Sequence, residues 1–204
     1  MSDHKQQDGL SRRGFIKGVS GGIVSAASLS AVKKDSAAEE YGKVIGPDEA
    51  TITLTINGVT KKLSIDPRIT LLDALRNQLD FTGTKRVCNR GECGACTMIV
   101  NGNTVLACSM LAVDADGADI RTIEGLADDN KLHPVQQKFI ENDALQCGFC
   151  TPGFIMSGVA LLERNPAPTM DQIKYAVSGN LCRCGTYPHV FKAIDEAAKE
   201  MKGG

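Results

Sequence analysis

Eight cysteines carry the chemistry open to this 204-residue sequence, and their spacing sorts them into two sets of four. Cys147-Gly-Phe-Cys150 is separated by thirty-one residues from Cys182-Arg-Cys184, pairing a C-x2-C with a C-x-C. Upstream, Cys88, Cys93 and Cys96 have the spacing C-x4-C-x2-C, with Cys108 following after eleven residues. A core has no need of paired cysteines at such short spacings, so each set reads as four thiolates gathered around one metal site. His4, His133 and His189 share no motif and read as surface or capping residues.

The elements that must position the first set read as a β-rich domain over 49-125. Thr51 to Ile56 alternates polar and apolar, Asn57-Gly58 signals a two-residue hairpin turn, and a second strand runs to about Ile65. Leu71, Leu72, Leu75 and Leu79 are spaced for one helix face, with Thr70 placed to cap it. Thr97 to Val100 and Thr104 to Ala107 read as strands joined around Asn101-Gly102. If Val100 pairs with Asn103, counting back places Cys108 opposite Ala95, beside Cys96, so the hairpin delivers the fourth thiolate. Gly91 and Gly94 suit a loop whose amides wrap a cluster and point at its sulfurs. Ile120 to Ile123 reads as a closing strand and Glu124 to Lys131 as a polar linker.

The second set belongs to a helical domain over 126-204. Pro134 opens a helix with Val135, Phe139 and Ile140 on its inner face. A second helix, apolar nearly all round, begins near Thr151-Pro152 and is central in a bundle. Thr169 and Gln172 form a capping box for a third helix, with Ile173, Ala176 and Val177 inward. A fourth runs from about Pro188 through Val190, Ile194, Ala197 and Met201. Cys147 and Cys150 immediately precede the second helix, and Cys182 and Cys184 the fourth. Two helix N-termini therefore point at one anionic centre, and their dipoles favour its reduced state. The fold class is α+β, with four helices arranged in pseudo-twofold halves.

The C-x4-C-x2-C spacing followed by a distant cysteine is that of plant-type [2Fe-2S] ferredoxins. Structural zinc also takes four thiolates, but it commonly presents two C-x2-C knuckles, and C-x-C is a tight span for two ligands of a tetrahedral ion. Disulfides suit an even cysteine count in an exported chain, yet residues this close in one glycine-rich loop pair poorly.

Aromatic content is only 4% and tryptophan is absent, so bound metal could serve as a staple for a core short of bulky side chains. The net charge of -1 gives no electrostatic support to a nucleic-acid role. Residues 1-48 read as signal and linker. Ser11-Arg-Arg-Gly-Phe-Ile-Lys17 is a twin-arginine motif, followed by a weakly apolar run from Gly18 to Val32 that is too short to span comfortably and then by Lys33-Lys34. It resembles the signals of the Tat pathway, which moves folded proteins, and implies periplasmic localisation, with membrane contact only through this segment. Small residues around Ser28 to Ala38 offer several cleavage sites.

The cysteine order, with Cys93-Gly-Ala-Cys96-Thr97, Gln146-Cys-Gly-Phe-Cys-Thr-Pro152 and Gly179-Asn-Leu-Cys-Arg-Cys-Gly185, resembles the iron-sulfur subunits of the xanthine oxidase and aldehyde oxidoreductase family of molybdenum hydroxylases. With its leader, the chain looks most like the small subunits of periplasmic aldehyde or isoquinoline oxidoreductases. The resemblance covers about residues 50 to 200. It implies a β-grasp ferredoxin-like domain holding one [2Fe-2S] cluster on Cys88, Cys93, Cys96 and Cys108. It also implies a four-helix domain holding another on Cys147, Cys150, Cys182 and Cys184, nearer the molybdenum cofactor.

By the same resemblance, Gln146 hydrogen-bonds the pterin and Cys184 lies beside its amino group. The chain has neither the FAD domain nor the molybdenum-binding domain that are fused to this module in eukaryotic xanthine dehydrogenases. The implied partners are therefore a large molybdopterin-binding subunit and an FAD-binding or cytochrome c subunit. Electrons from aldehyde or N-heterocycle oxidation would leave molybdopterin through the helical cluster, then the upstream one, then flavin or haem. The rival readings are a free two-cluster carrier and a zinc-stabilised interaction module.

Overall fold

The computed structural model describes residues 46-128 and 131-203, so the twin-arginine segment lies outside the described residues. Strand β1 (Ala50–Ile56) turns through Asn57 and Gly58 into β2 (Val59–Ile65), with Ile56 opposite Val59. Both turn residues have positive φ, 49° and 80°, which matches the right-handed twist of the strands they join. The second Asn-Gly turn behaves alike. Strand β3 (Thr97–Val100) returns as β4 (Asn103–Leu106), with Val100 opposite Asn103 and Thr97 opposite Leu106. Strand β5 (Asp119–Arg121) inserts between the hairpins, parallel to β1 and antiparallel to β3, giving the sheet order β2-β1-β5-β3-β4.

Helix α1 (Leu71–Gln78) starts where Thr70 Oγ1 accepts the Asp73 N–H at 3.1 Å. It buries Leu71, Leu72, Ala74 and Leu75 in one core with Ile52, Leu54, Ile56, Met98 and Ile120 of the strands. Full burial of a leucine side chain contributes on the order of 2 kcal/mol. A mixed five-stranded sheet with one helix across it is the β-grasp expected for this part.

Two boundaries differ from the sequence reading. The second strand of the β3/β4 hairpin ends at Leu106, because Ala107–Ser109 tighten into a 3-10 turn that carries Cys108. The closing strand ends at Arg121 because the Asn57 side chain claims Thr122, accepting its N–H at 2.9 Å and donating to its hydroxyl at 3.0 Å. Ile123–Gly125 then makes another 3-10 turn, in which Glu124 accepts from Gly83 N–H and from the Thr122 hydroxyl, at 2.7 and 2.6 Å. The start of the polar linker is thereby tied to the segment leading into Cys88.

The remaining elements are α2 (Pro134–Glu141), α3 (Thr151–Arg164), α4 (Met170–Ala176) and α5 (Tyr187–Gly203). The capping box at α4 is present, with Gln172 N–H donating to Thr169 Oγ1 and the Gln172 side chain accepting from Thr169 N–H. Helix α3 is central, as its composition requires, and buries every residue from Gly153 to Ala160. Its contacts include β3 as well as the other three helices. That packing explains why all four residues of β3 are buried, Met98 and Val100 in the sheet core and Ile99 in the helical one. The two cores belong to one body.

Two residues expected inward are not. Ile140 is 56% exposed and Met201 39% exposed, because the buried face of α2 runs through Val135 and Phe139 and that of α5 through Val190, Ala193, Ile194, Ala197 and Ala198, leaving both residues off it. Among the described residues no helix is long and apolar enough to cross a membrane.

His133 acts as the cap of α2, accepting the Val135 N–H on Nδ1 at 3.2 Å. Burial lowers its pKa and the charge of Arg121 adds to this, with Glu163 opposing. Its neutral form is therefore favoured in the fold. The unfolded chain takes up the proton first, so this contribution is complete above the ordinary value of about 6.5 and is lost as the pH falls below it. Losing the cap costs about 1 kcal/mol, or roughly 2–4 °C in a chain of this size. Thermal melts from pH 7 to pH 5 should fall more steeply for the native chain than for His133→Asn, which caps without titrating. Parallel slopes would refute the assignment.

Candidate metal centres

All eight cysteines are free thiols; the structure places Cys88, Cys93, Cys96 and Cys108 near one another on the sheet side, and Cys147, Cys150 and Cys182 on the helical side, where Cys184 reaches Cys182 through its backbone N–H. In the sheet-side set, Cys93, Cys96 and Cys108 are buried and Cys88 is half-buried. Cys88 and Cys93 are in side-chain contact, as are Cys96 and Cys108. Cys108 arrives where the hairpin register places it, with Ala107 N–H donating to Cys96 O at 3.4 Å. Gly91, at φ 79°, donates its N–H to Cys108 Sγ at 3.2 Å, and a Cβ there would lie 2.8 Å from Ser109 Oγ. Only glycine fits that approach.

The thiols within this set differ sharply. Burial works to raise the Cys88 pKa, but the N–H groups of Arg90, Glu92 and Cys93 and the Cys93 thiol hold it down to about 7. Burial pushes the Cys96 thiol up to about 12, and the neighbouring Cys108 and Cys93 reinforce this. A cation placed between the four sulfurs would relieve that repulsion as the last protons leave.

The helical set repeats the pattern around two helix starts. Cys150 is the residue before α3, and Cys182 and Cys184 lie on the turn that leads into α5. Cys150 and Cys182 are in side-chain contact with Cys147 close by, while Cys147 and Cys184 are exposed. Burial, with Cys182 and Cys147 as neighbours, pushes the Cys150 thiol up to about 12. Burial acts in the same sense on Cys182, but the Thr186 hydroxyl and N–H, Cys150 and the Cys184 N–H hold it down to about 7. The Thr186 hydroxyl lies 3.1 Å from Cys182 Sγ, and the Cys182 N–H donates to the Tyr187 hydroxyl at 2.8 Å. Tyr187 in turn meets Phe154 of α3 edge to face, at 5.9 Å between centroids.

Three side-chain contacts join thiols within the sets: Cys88 with Cys93, Cys96 with Cys108, and Cys150 with Cys182. Four thiolates in each set suit a dinuclear iron-sulfur group, which takes two per iron. The surroundings suit an anionic group as well. Backbone N–H groups converge on the sulfurs, the helix starts add positive dipole ends, and the Thr151 hydroxyl beside Cys150 is buried without a partner. Gln146, adjoining this set, is exposed.

Spacing gave no hint of the seam between the two sets. Leu181 N–H donates to Cys93 O at 2.9 Å, linking the residue before Cys182 to the backbone of a sheet-side cysteine. Gly94 and Gly153 cross here, and a Cβ on Gly153 would sit 2.2 Å from Gly94 O. The word Gly179-Asn-Leu-Cys was visible in the sequence, but nothing in it says which distant carbonyl it meets.

The two cysteine sets define an iron-sulfur-binding chain, and two family models agree. Residues 49–145 match the family described as 2Fe-2S iron-sulfur cluster binding domain, and residues 122–195 the [2Fe-2S] binding domain. Over 99% of its length the chain is 42% identical to the aldehyde oxidoreductase iron-sulfur-binding subunit PaoA of Escherichia coli, covering 94% of that protein. It is 46% identical to the nicotinate dehydrogenase small FeS subunit of Eubacterium barkeri, over 74% of this chain and 97% of that one. The fold superposes on a chain of quinoline 2-oxidoreductase from Pseudomonas putida 86 with a TM-score of 0.74 and 41% identity, covering 77% of this chain and 98% of that one. The chain therefore belongs to the iron-sulfur, electron-transfer subunits of the molybdenum-dependent oxidoreductases. A match to the aldehyde oxidoreductase of Desulfovibrio desulfuricans, with a TM-score of 0.73, covers only 17% of that longer chain.

Proposed function

We propose that this chain carries electrons out of a molybdopterin-bearing partner that oxidises an aldehyde or an N-heterocycle, and delivers them to a flavin or haem partner. Cys147, Cys150, Cys182 and Cys184 hold the entry group and Cys88, Cys93, Cys96 and Cys108 the exit group. Bound there, a [2Fe-2S] group supplies the capacity to take up and release one electron at a time.

The observation that carries the reading is the seam, where one hydrogen bond from Leu181 to Cys93 joins the backbones of the two cysteine sets. The direction rests on exposure. Cys147 and Cys184 are the two exposed thiols, and Gln146 beside them is exposed as well. Exposed Phe149, Leu145 and Leu181 flank these residues and suit an apolar docking rim for the large subunit. In the sheet-side set Cys88 alone reaches the surface, which makes its loop the exit.

The chain's own residues orient and tune. Gln146 would hydrogen-bond the partner's pterin, and Cys184 would present its exposed sulfur to it. The N–H groups around Cys88 and Cys182 stabilise negative charge on the sulfurs, favouring reduction. Export of the folded chain through the twin-arginine segment belongs to the same reading and is supported by Ser11 to Lys17.

Electron paramagnetic resonance of the reduced complex should show two distinct [2Fe-2S] signals, with four irons per chain. A single signal, or a colourless zinc protein, would overturn the reading.

A further inference from the structure

Asn180 is among the few buried polar residues, at 4% exposure, and both ends of its amide are used. Its Oδ1 accepts from Ser157 Oγ of α3 at 2.8 Å. Its Nδ2 donates to Gly94 O at 2.9 Å and lies 3.4 Å from Thr97 Oγ1, which itself donates to Gly94 O at 2.7 Å. The amide thus bridges three segments: the loop holding Cys93 and Cys96, the helix that follows Cys150, and the strand of chain leading into Cys182. The space it fills is shaped for it, since a Cβ on Gly94 would fall 2.5 Å from Nδ2 and one on Gly153 3.0 Å from it. The next residue, Leu181, makes the bond to Cys93 O, and the one after is Cys182.

We infer that Asn180 is a positioning residue for electron transfer between the two centres. It touches neither set of sulfurs, and acts by fixing the loop of Cys93 against the segment of Cys182. The seam bond from Leu181 is held between these two anchored stretches. A loosened bracket would let the segments shift relative to one another, and tunnelling between redox groups falls off exponentially with the gap. The inference rests on the proposed two-centre reading, and it assigns the spacing of the centres to a single amide.

Asn180→Asp tests it, because the side chain keeps its size while an oxygen replaces the N–H group facing Gly94 O. The measurement is made on the dithionite-reduced complex: the enhancement of one centre's spin relaxation by the other, which depends on their separation and mutual orientation. The expected result is at least a twofold loss of this enhancement, with both signals and the full iron content retained. A lowered melting temperature with unchanged enhancement would assign Asn180 a merely structural role and overturn the inference.

Should Asn180→Asp fail to hold both clusters, Asn180→Ala decides. It removes the donor bond to Gly94 O without adding a buried charge, so a measurable loss of enhancement supports the inference and an unchanged value overturns it. Absence of two signals in the native complex would instead remove the two-centre reading itself.

Discussion

Replacing Cys184 with serine is expected to cut turnover of the assembled complex by on the order of 100-fold or more while leaving the sheet-side centre intact. The thiol of Cys184 is exposed and stands two residues from Cys182, whose charge its N–H helps to stabilise. Serine keeps the size of the side chain but replaces a soft sulfur by a hard oxygen, which binds iron differently and depresses its potential. Cys88, Cys93, Cys96 and Cys108 sit on other elements, so their signal should persist. Steady-state oxidation of an aldehyde or N-heterocycle, measured beside the resonance spectrum, checks both halves. Unchanged turnover would place the point of electron entry elsewhere.

Gly153→Ala should destabilise the chain by about 3 kcal/mol, lowering the melting temperature by roughly 6–12 °C. The added Cβ would lie 2.2 Å from Gly94 O and 3.1 Å from Gly94 C, and it would crowd Asn180 Nδ2 at 3.0 Å. These obstacles include backbone atoms, which cannot rotate aside as a side chain can. Relief requires α3 to back away from the loop of Cys93, breaking the packing that buries β3 on both faces. Gly158→Ala is the internal comparison. Its Cβ would meet the Ile194 side chain at 3.1 and 3.2 Å, which can yield by a small rotation. Equal melting temperatures for the two variants would show that the crossing is looser than its geometry states.

Much of the candidate site was legible because cysteine spacing is a local code. The order of the eight thiols, and even the arrival of Cys108 beside Cys96, followed from counting residues across an Asn-Gly turn whose backbone preference is strong. Helix starts at Thr70 and Thr169 were equally local, being set by side chains three residues from their partners. Periodicity served less well where it had to say what a face meets. Ile140 and Met201 have the right spacing and still face outward, and all of β3 is buried because α3 covers the face that alternation would leave to water. The bracket at Asn180 joins residues 86 positions apart, and no local pattern announces it. Asn57 cut short β5 through a side chain 65 residues away, for the same reason.

The seam at Leu181 is also reciprocal. Its N–H finds a partner only once the Cys93 carbonyl is in place, and Asn180 has a slot only when Gly94 and Gly153 have met. The segment that delivers Cys182 and Cys184 is therefore packed against the sheet-side loop. The two cysteine loops thus seat one another, and loosening either one loosens the other.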